Sequence, residues 1–434
     1  MIRLFLGKLF QEHSIWLLPV AAFTLTSGIA FMVIGGSMFF FTMENPEAEF
    51  YAILAALALV LLAVPMFSLM TSAARLMARR RDERLSSLRL IGASTAQLRR
   101  LAVAEAAVLA LAGLLGGSLL YTALMPAVGL LPFGGSPMGV QGLWMGLDIW
   151  ALSFLGLLAA ATAAALLGMR RIQVTPLGVR TLQSPARVHW VRVVLAVLGV
   201  IAAQVLARLS GFGSVAMAVT VSLIAVAVPL VVVQVVGPWV LKVVTRRHLK
   251  KARSVERLIA ARSVLESPQQ MWKQIGGVSI TTYVGVIAGC GLGIFAAGDG
   301  GVSTQEQILM ADVQRGVWLT LAVAFLMAAC SVGVNQTAQV LDRKHLYSSL
   351  TKMGMDVQQL QRIRTLSVMR SLGIVVTIAL ITAAVTAFPI IGIAVVTAPA
   401  TVVTALVVLG LGMLAVYAGA QVTRPTMRRV AFAH

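Results

Sequence analysis

The chain has 434 residues, 59% of them hydrophobic and only 12% charged, with 35 Lys and Arg against 15 Asp and Glu. A soluble domain carries about 25% charged residues, so too few are present to cover a water-exposed surface, and the mean hydropathy of +0.91 points to a membrane. A net charge of +20 would suggest nucleic acid in a soluble protein; here its placement makes it a topology signal, and nucleic acid is not an expected partner.

Apolar blocks long enough to cross a hydrocarbon core, about 20 residues, occur ten times: Ile15 to Phe41, Phe50 to Ala74, Ala102 to Val128, Ile149 to Met169, Val191 to Ala207, Val215 to Val236, Ile275 to Ala297, Val317 to Val340, Leu372 to Phe388 and Ile393 to Gly419. The expected fold is an all-α polytopic membrane protein. With the N-terminus in the cytoplasm, all Lys and Arg residues except Arg208 and Arg315 lie in or beside cytoplasmic segments. Orientation follows that bias. A bacterial cytoplasmic membrane with both termini inside is therefore expected, with anionic lipid headgroups as secondary contacts. The first span is too long for the apolar region of a cleavable signal.

After span two comes a loop with its own chemistry. Leu85, Leu88 and Ile91 recur at helical spacing around Arg89, and Gly92 supplies a left-handed residue that ends a helix. Ser94 and Gln97 then spell a capping box that starts the next helix at once. The pattern predicts a short cytoplasmic helix, a sharp elbow, and a rod entering the bilayer as span three. Along that rod Gly113 and Gly117 form a small-residue stripe, as do Gly285, Gly289 and Gly293 on span seven; both read as packing seams. Glu105, one turn into the rod, reads as an interfacial partner for Arg99 or Arg100.

Between spans three and four, Leu131 to Met138 through Trp144 is uncharged and rich in Gly and Pro. It is expected to dip into the outer interface, with Phe133 and Trp144 as candidate substrate contacts. Arg208, at the outer end of span five, is a third candidate. Spans five and six form a connector hairpin. A basic stretch, Lys242 to Lys273, follows as an expected amphipathic helix on the lipid surface.

The loop after span eight repeats the first. Ser86-Ser87-Leu88 recurs as Ser348-Ser349-Leu350, Gly92 as Gly354, Gln97-Leu98 as Gln359-Leu360 and Arg100 as Arg362, at a constant offset of 262. In the second copy Met353 precedes the terminator Gly354, Asp356 is the expected N-cap and Gln359 stands at the third helical position. Pro126 and Pro389 are each expected to close the span behind the elbow. The predicted organisation is a four-span repeat over 1–181, a two-span connector over 182–241 and a second four-span repeat over 242–434, the two repeats parallel about an axis along the membrane normal.

The run Arg79-Arg80-Arg81-Asp82-Glu83-Arg84-Leu85 through Leu88-Arg89-Leu90-Ile91-Gly92-Ala93-Ser94, with Gln97-Leu98 and Glu105, resembles the signature loop of FtsX-like permeases. These are the membrane subunits of the FtsX/MacB type of ABC system. Met169-Arg170-Arg171 with Pro176-Leu177 resembles that family's exit from its fourth span. The likeness covers about Leu59 to Thr181, and more faintly Leu258 to Arg429. It implies a separate cytoplasmic ATPase dimer docked on the two elbows, with ATP and magnesium bound there and no cofactor on this chain. It also implies work on amphipathic peptides, lipids or lipoproteins, or on an extracytoplasmic partner. Many relatives carry a large extracytoplasmic domain; the corresponding loops here are only Thr42 to Glu49 and Gly298 to Gly316, which shifts the expected substrate site into or beside the helices.

Gly7-Lys8 lacks the context of a phosphate-binding loop, and no Ser/His/Asp or Cys/His set falls at one membrane depth. The chain is thus read as a permease subunit and not an enzyme. A proton-driven carrier needs buried acids or histidines, which the spans do not offer. The competing reading is a mechanotransmitter that regulates an extracytoplasmic partner, such as a lipoprotein, or a sensor kinase without transport.

Overall fold

The computed structural model describes residues 13–44, 47–90, 94–170, 194, 198–202, 204, 205, 215–296, 303–342 and 349–421. They form two compact units, one within Met1–Leu182 together with Gly333–Asp342, the other within Gln183–Val332 together with Arg343–His434. Residues 182–241, expected as a separate connector, fall almost entirely within the second unit's range.

In the first unit α1 (His13–Phe41), α2 (Ala48–Leu90), α3 (Thr95–Val128) and α5 (Gly146–Arg170) are long helices. A two-residue-per-strand hairpin, β1 (Pro132–Phe133) with β2 (Ser136–Pro137), and a short helix α4 (Gly139–Leu143) join α3 to α5. Helix α1 packs along α3, with α2 and α5 beside them. The seam is set by small residues: a Cβ on Gly113 would stand 2.3 Å from the Phe23 Cβ, and one on Gly117 1.9 Å from the Ser27 hydroxyl oxygen. At that approach Ser27 donates to the Gly113 carbonyl at 3.1 Å. Close backbone approach of this kind replaces the hydrophobic driving force that is missing between helices in lipid.

The second unit contains α6 (Val215–Lys250), α7 (Val255–Glu266), α8 (Pro268–Ile275), α9 (Gly277–Ala296), most of α10 (Thr304–Asp342), α11 (Val357–Thr386), α12 (Phe388–Thr397) and α13 (Pro399–Gln421). Its core joins Leu241, Val264, Trp272, Ile275, Phe325, Leu372, Leu409 and Val416. Trp272 is seated over Gly237, where any Cβ would collide with the indole, and its Nε1 donates to Gln234 at 2.9 Å.

Eight of the described helices are long and apolar enough to cross a membrane, and they coincide with spans one to four, six, eight, nine and ten. The seventh corresponds to a shorter apolar helical stretch, Gly277–Gly291; the fifth falls mostly outside the described residues. The molecule is thus an all-α polytopic membrane protein, with the small hairpin as the one non-helical element among the described residues.

Several boundaries differ from the sequence reading. The expected short helix before the first elbow is the uninterrupted end of the 43-residue α2, because the Ala, Arg, Leu and Met residues between Pro65 and Gly92 are all good helix formers. The last span is broken: α12 ends at Thr397 and α13 starts at Pro399, since a proline disfavours helical geometry in the residue before it. Pro126 does not close its span but lies inside α3, and Pro389 stands in the first turn of α12. The basic stretch Lys242 to Lys273 is the end of α6 followed by α7 and α8. Ala260, Ala261, Val264, Met271 and Trp272 in it are buried against the protein. The segment Gly298 to Gly316, read as a loop, is helical from Thr304.

Candidate functional site

At the first elbow, Leu85, Leu88 and Arg89 belong to the terminal turns of α2, while Ile91 and Gly92 lie outside the described residues. Ser94 is the N-cap of α3, with extended φ −68° and ψ 152°. The Gln97 backbone N–H donates to Ser94 Oγ at 3.3 Å, and the Ser94 N–H donates to Gln97 Oε1 at 3.1 Å. This reciprocal pair satisfies two of the orphan donors that begin any helix.

The second elbow shows the matching stop. Gly354 takes φ +93°. Its N–H donates to the Thr351 carbonyl at 3.0 Å, and that of Met355 to the Leu350 carbonyl at 3.0 Å. These are the two bonds of a Schellman motif, with Gly354 in the left-handed position. Met353 beside it is exposed, whereas Leu350 is half-buried. Asp356 is the N-cap of α11 with extended φ −70° and ψ 144°, but its side chain makes no capping bond; Gln359 is exposed at the third helical position.

The two rods therefore start at Thr95 and Val357, the same 262-residue offset read from the loops. Their buried faces also coincide. Glu105, Ala106, Leu109, Ala110, Gly113, Leu114, Gly117, Tyr121 and Met125 are buried on or beside α3, and each falls, 262 residues on, upon a buried position from Ser367 to Ala387. Such a run of matches reports one packing pattern used twice.

The base of the second rod is fastened by contacts that the sequence did not disclose. Gln361 Nε2 donates to Gln421 Oε1 of α13 at 2.9 Å, and Arg362 reaches Glu256 of α7 at 4.0 Å. The latter pair is solvent-exposed and contributes under about 1 kcal/mol. Higher up, Tyr283 of α9 shares a hydrogen bond with Thr386 at 3.0 Å. The only signal for such pairs is a polar residue interrupting an apolar run, which does not name its partner.

At the other end of the first unit, Gly134 (φ +65°) and Gly135 (φ +82°) form the two-residue turn of the hairpin; positive φ at both central residues matches the twist of paired strands. Phe133 points inward, only 3% exposed, with its ring edge-on to Phe40 at 5.1 Å. The Tyr121 hydroxyl donates to the Leu143 carbonyl at 2.5 Å and accepts from the Met145 N–H at 3.4 Å. The segment is thus a packed cap on α1 and α3, and Phe133 meets a ligand only if that cap opens. Trp144 is exposed. Arg208 lies outside the described residues. Among interior polar groups, Asn335 Nδ2 of α10 donates to Ser72 Oγ of α2 at 2.7 Å, a helix–helix hydrogen bond.

Long apolar helices define the class: an integral membrane protein. Residues 53–176 match the FtsX-like permease C-terminal family, a stretch that spans most of α2, the first elbow, α3, the hairpin cap and α5. This stretch of the chain is therefore similar to an FtsX-like permease domain. No curated protein and no solved structure matches it.

Proposed function

We propose that this chain is the permease of a bacterial cytoplasmic-membrane exporter or extractor of amphipathic or lipid-like compounds, such as antimicrobial peptides. It is driven by a separate cytoplasmic ATPase that holds the ATP and magnesium. Two ATPase copies serve one permease, because the chain has two elbows and a closed ATPase dimer has two equivalent lobes. The observation that carries the reading is the match of rod starts and buried faces between α3 and α11. A force applied at either elbow enters a helix that is capped at its base and packed along its length. The short outer loops leave the helices themselves, with Trp144 at the rim, as the surface that a bilayer-borne substrate meets.

Co-expression with a stand-alone ABC ATPase, followed by ATP turnover in lipid nanodiscs, tests the coupling. Replacing Gly92 and Gly354 together by proline is expected to lower stimulated turnover at least tenfold or release the ATPase; undiminished turnover in that double variant rejects the elbows as the docking sites. Stimulation by an added amphipathic peptide supports transport. One observation favours the second reading, regulation of an outer partner or sensor kinase without transport. Helix α10 is 39 residues long, about 58 Å, far more than a bilayer requires, so its polar first turns, with the Asp312–Arg315 ion pair, extend past the apolar part of the helix.

A further inference from the structure

The second unit contains a small recess, about 240 Å³ when the solvent at its mouth is included, lined by Thr245 and His248 of α6, by Ala260, Ala261 and Val264 of α7, and by Ser367, Arg370, Ser371 and Ile374 of α11. No acidic residue lines it. The Ser367 and Ser371 hydroxyls are occupied by carbonyls of their own helix at 2.7 and 2.8 Å. Thr245 is different. It is 5% exposed, and its hydroxyl has no hydrogen-bond partner, which a buried polar group rarely lacks. The enclosed end of the recess is only water-sized, so it suits one oxygen atom of a larger group whose remainder sits at the mouth, beside the two basic side chains.

The depth of this recess is set by the sequence. On α6 the uncharged run that begins at Val215 ends at Leu241, and Lys242 is its first charge; on α11 the uncharged run begins directly after Arg370. Thr245, His248 and Arg370 therefore stand where headgroup phosphates of the adjoining leaflet lie, on the side that the Lys and Arg bias assigns to the cytoplasm. Basic pockets between helices at this level are suited to anionic lipid headgroups. The apolar lining by Val264 and Ile374 continues the surface along which an acyl chain would run.

We propose that this recess binds a phosphate group, with an anionic phospholipid of that leaflet as its source. One phosphate oxygen accepts from the Thr245 hydroxyl, and Arg370 and His248 meet the remaining charge. An occupant sits where α6, α7 and α11 pack together, above the second elbow. The proposal stands apart from the ATPase-coupling reading and is tested without any ATPase.

The full chain is purified in detergent, and its thermal unfolding is followed against short-chain phosphatidylglycerol, short-chain phosphatidylcholine and inorganic phosphate. Phosphatidylglycerol is expected to raise Tm saturably. The half-saturating concentration should rise tenfold or more in Arg370→Gln and in the near-isosteric Thr245→Val, but not in Arg246→Gln, which lies on the same helix outside the recess. Thr245→Val keeps the test decisive if Arg370→Gln fails to fold. Equal shifts with phosphatidylcholine, or an unchanged half-saturation in Thr245→Val, overturn the site. A saturable shift with inorganic phosphate alone, lost in the same variants, supports the phosphate site and overturns the lipid as its source.

Discussion

Gly354 holds a backbone conformation, φ +93°, that costs an L-residue about 1–2 kcal/mol, so its role was legible from chain position alone. Gly354→Ala should destabilise the elbow by that amount, seen as faster amide exchange at Thr351 to Met355 by mass spectrometry. Ser94→Ala removes the acceptor for the Gln97 N–H and should cost about 1 kcal/mol, read as earlier exchange confined to the first turn of α3. Asp356 was named as the equivalent cap on type and position. It occupies that position, but its carboxylate makes no capping bond, so Asp356→Ala should lose less than Ser94→Ala in the same measurement. Phe133 was the residue least legible from sequence. A phenylalanine in an uncharged Gly- and Pro-rich loop reads equally as a membrane contact or a core residue, and only its packing against Phe40 separates the two. Tyr121 was not singled out, although its hydroxyl fastens the cap; Tyr121→Phe leaves the buried Leu143 carbonyl without that donor, at a cost of about 1–3 kcal/mol, measurable as a fall in Tm.

At the scale of the helix, the Gly113 and Gly117 stripe was readable as a seam, but its tightness was not. Gly117→Ala drives a Cβ into the Ser27 hydroxyl, 1.9 Å away, and should destabilise α1 against α3 by about 1–3 kcal/mol. Gly373→Ala on α11, where an added Cβ meets nothing within 4 Å, should instead stabilise by up to about 1 kcal/mol through helix propensity. Opposite signs of Tm shift in these two variants check the assignment. Helix ends were less legible than helix existence. The continuation of α2 to Leu90 and the break at Pro399 both concern residues whose apolarity says nothing of where the backbone bends. The basic stretch Lys242 to Lys273 reads as one surface helix because its charges dominate the composition. Its apolar minority, Val264, Met271 and Trp272, decides instead that it packs on the protein.

For the molecule as a whole, the proposed repeat rests first on a few coincident loop residues. The buried faces of α3 and α11 extend the match through the rods. If the two elbows are parallel copies, Ser94→Cys and Asp356→Cys, each in a chain with Cys290 and Cys330 replaced by alanine, should react from the cytoplasm with the same membrane-impermeant maleimide and resist it from outside. Labelling of the two from opposite sides would rule out parallel repeats.

The amino-acid sequence by itself determined the membrane class, Ser94 and Asp356 as the helix starts and Gly354 as the stop at the second elbow. Those properties depend on the solvent and on neighbours a few residues away. Tertiary structure alone decided which face of each apolar helix packs on protein, that the Gly134–Gly135 hairpin closes inward, and that Thr245, His248 and Arg370 meet around one recess. The physical reason is that lipid tails and a protein interior are equally apolar. A helix that is hydrophobic on every side therefore carries little record of its partners, and they are fixed only when small residues, hydroxyls and rings find one another across the chain.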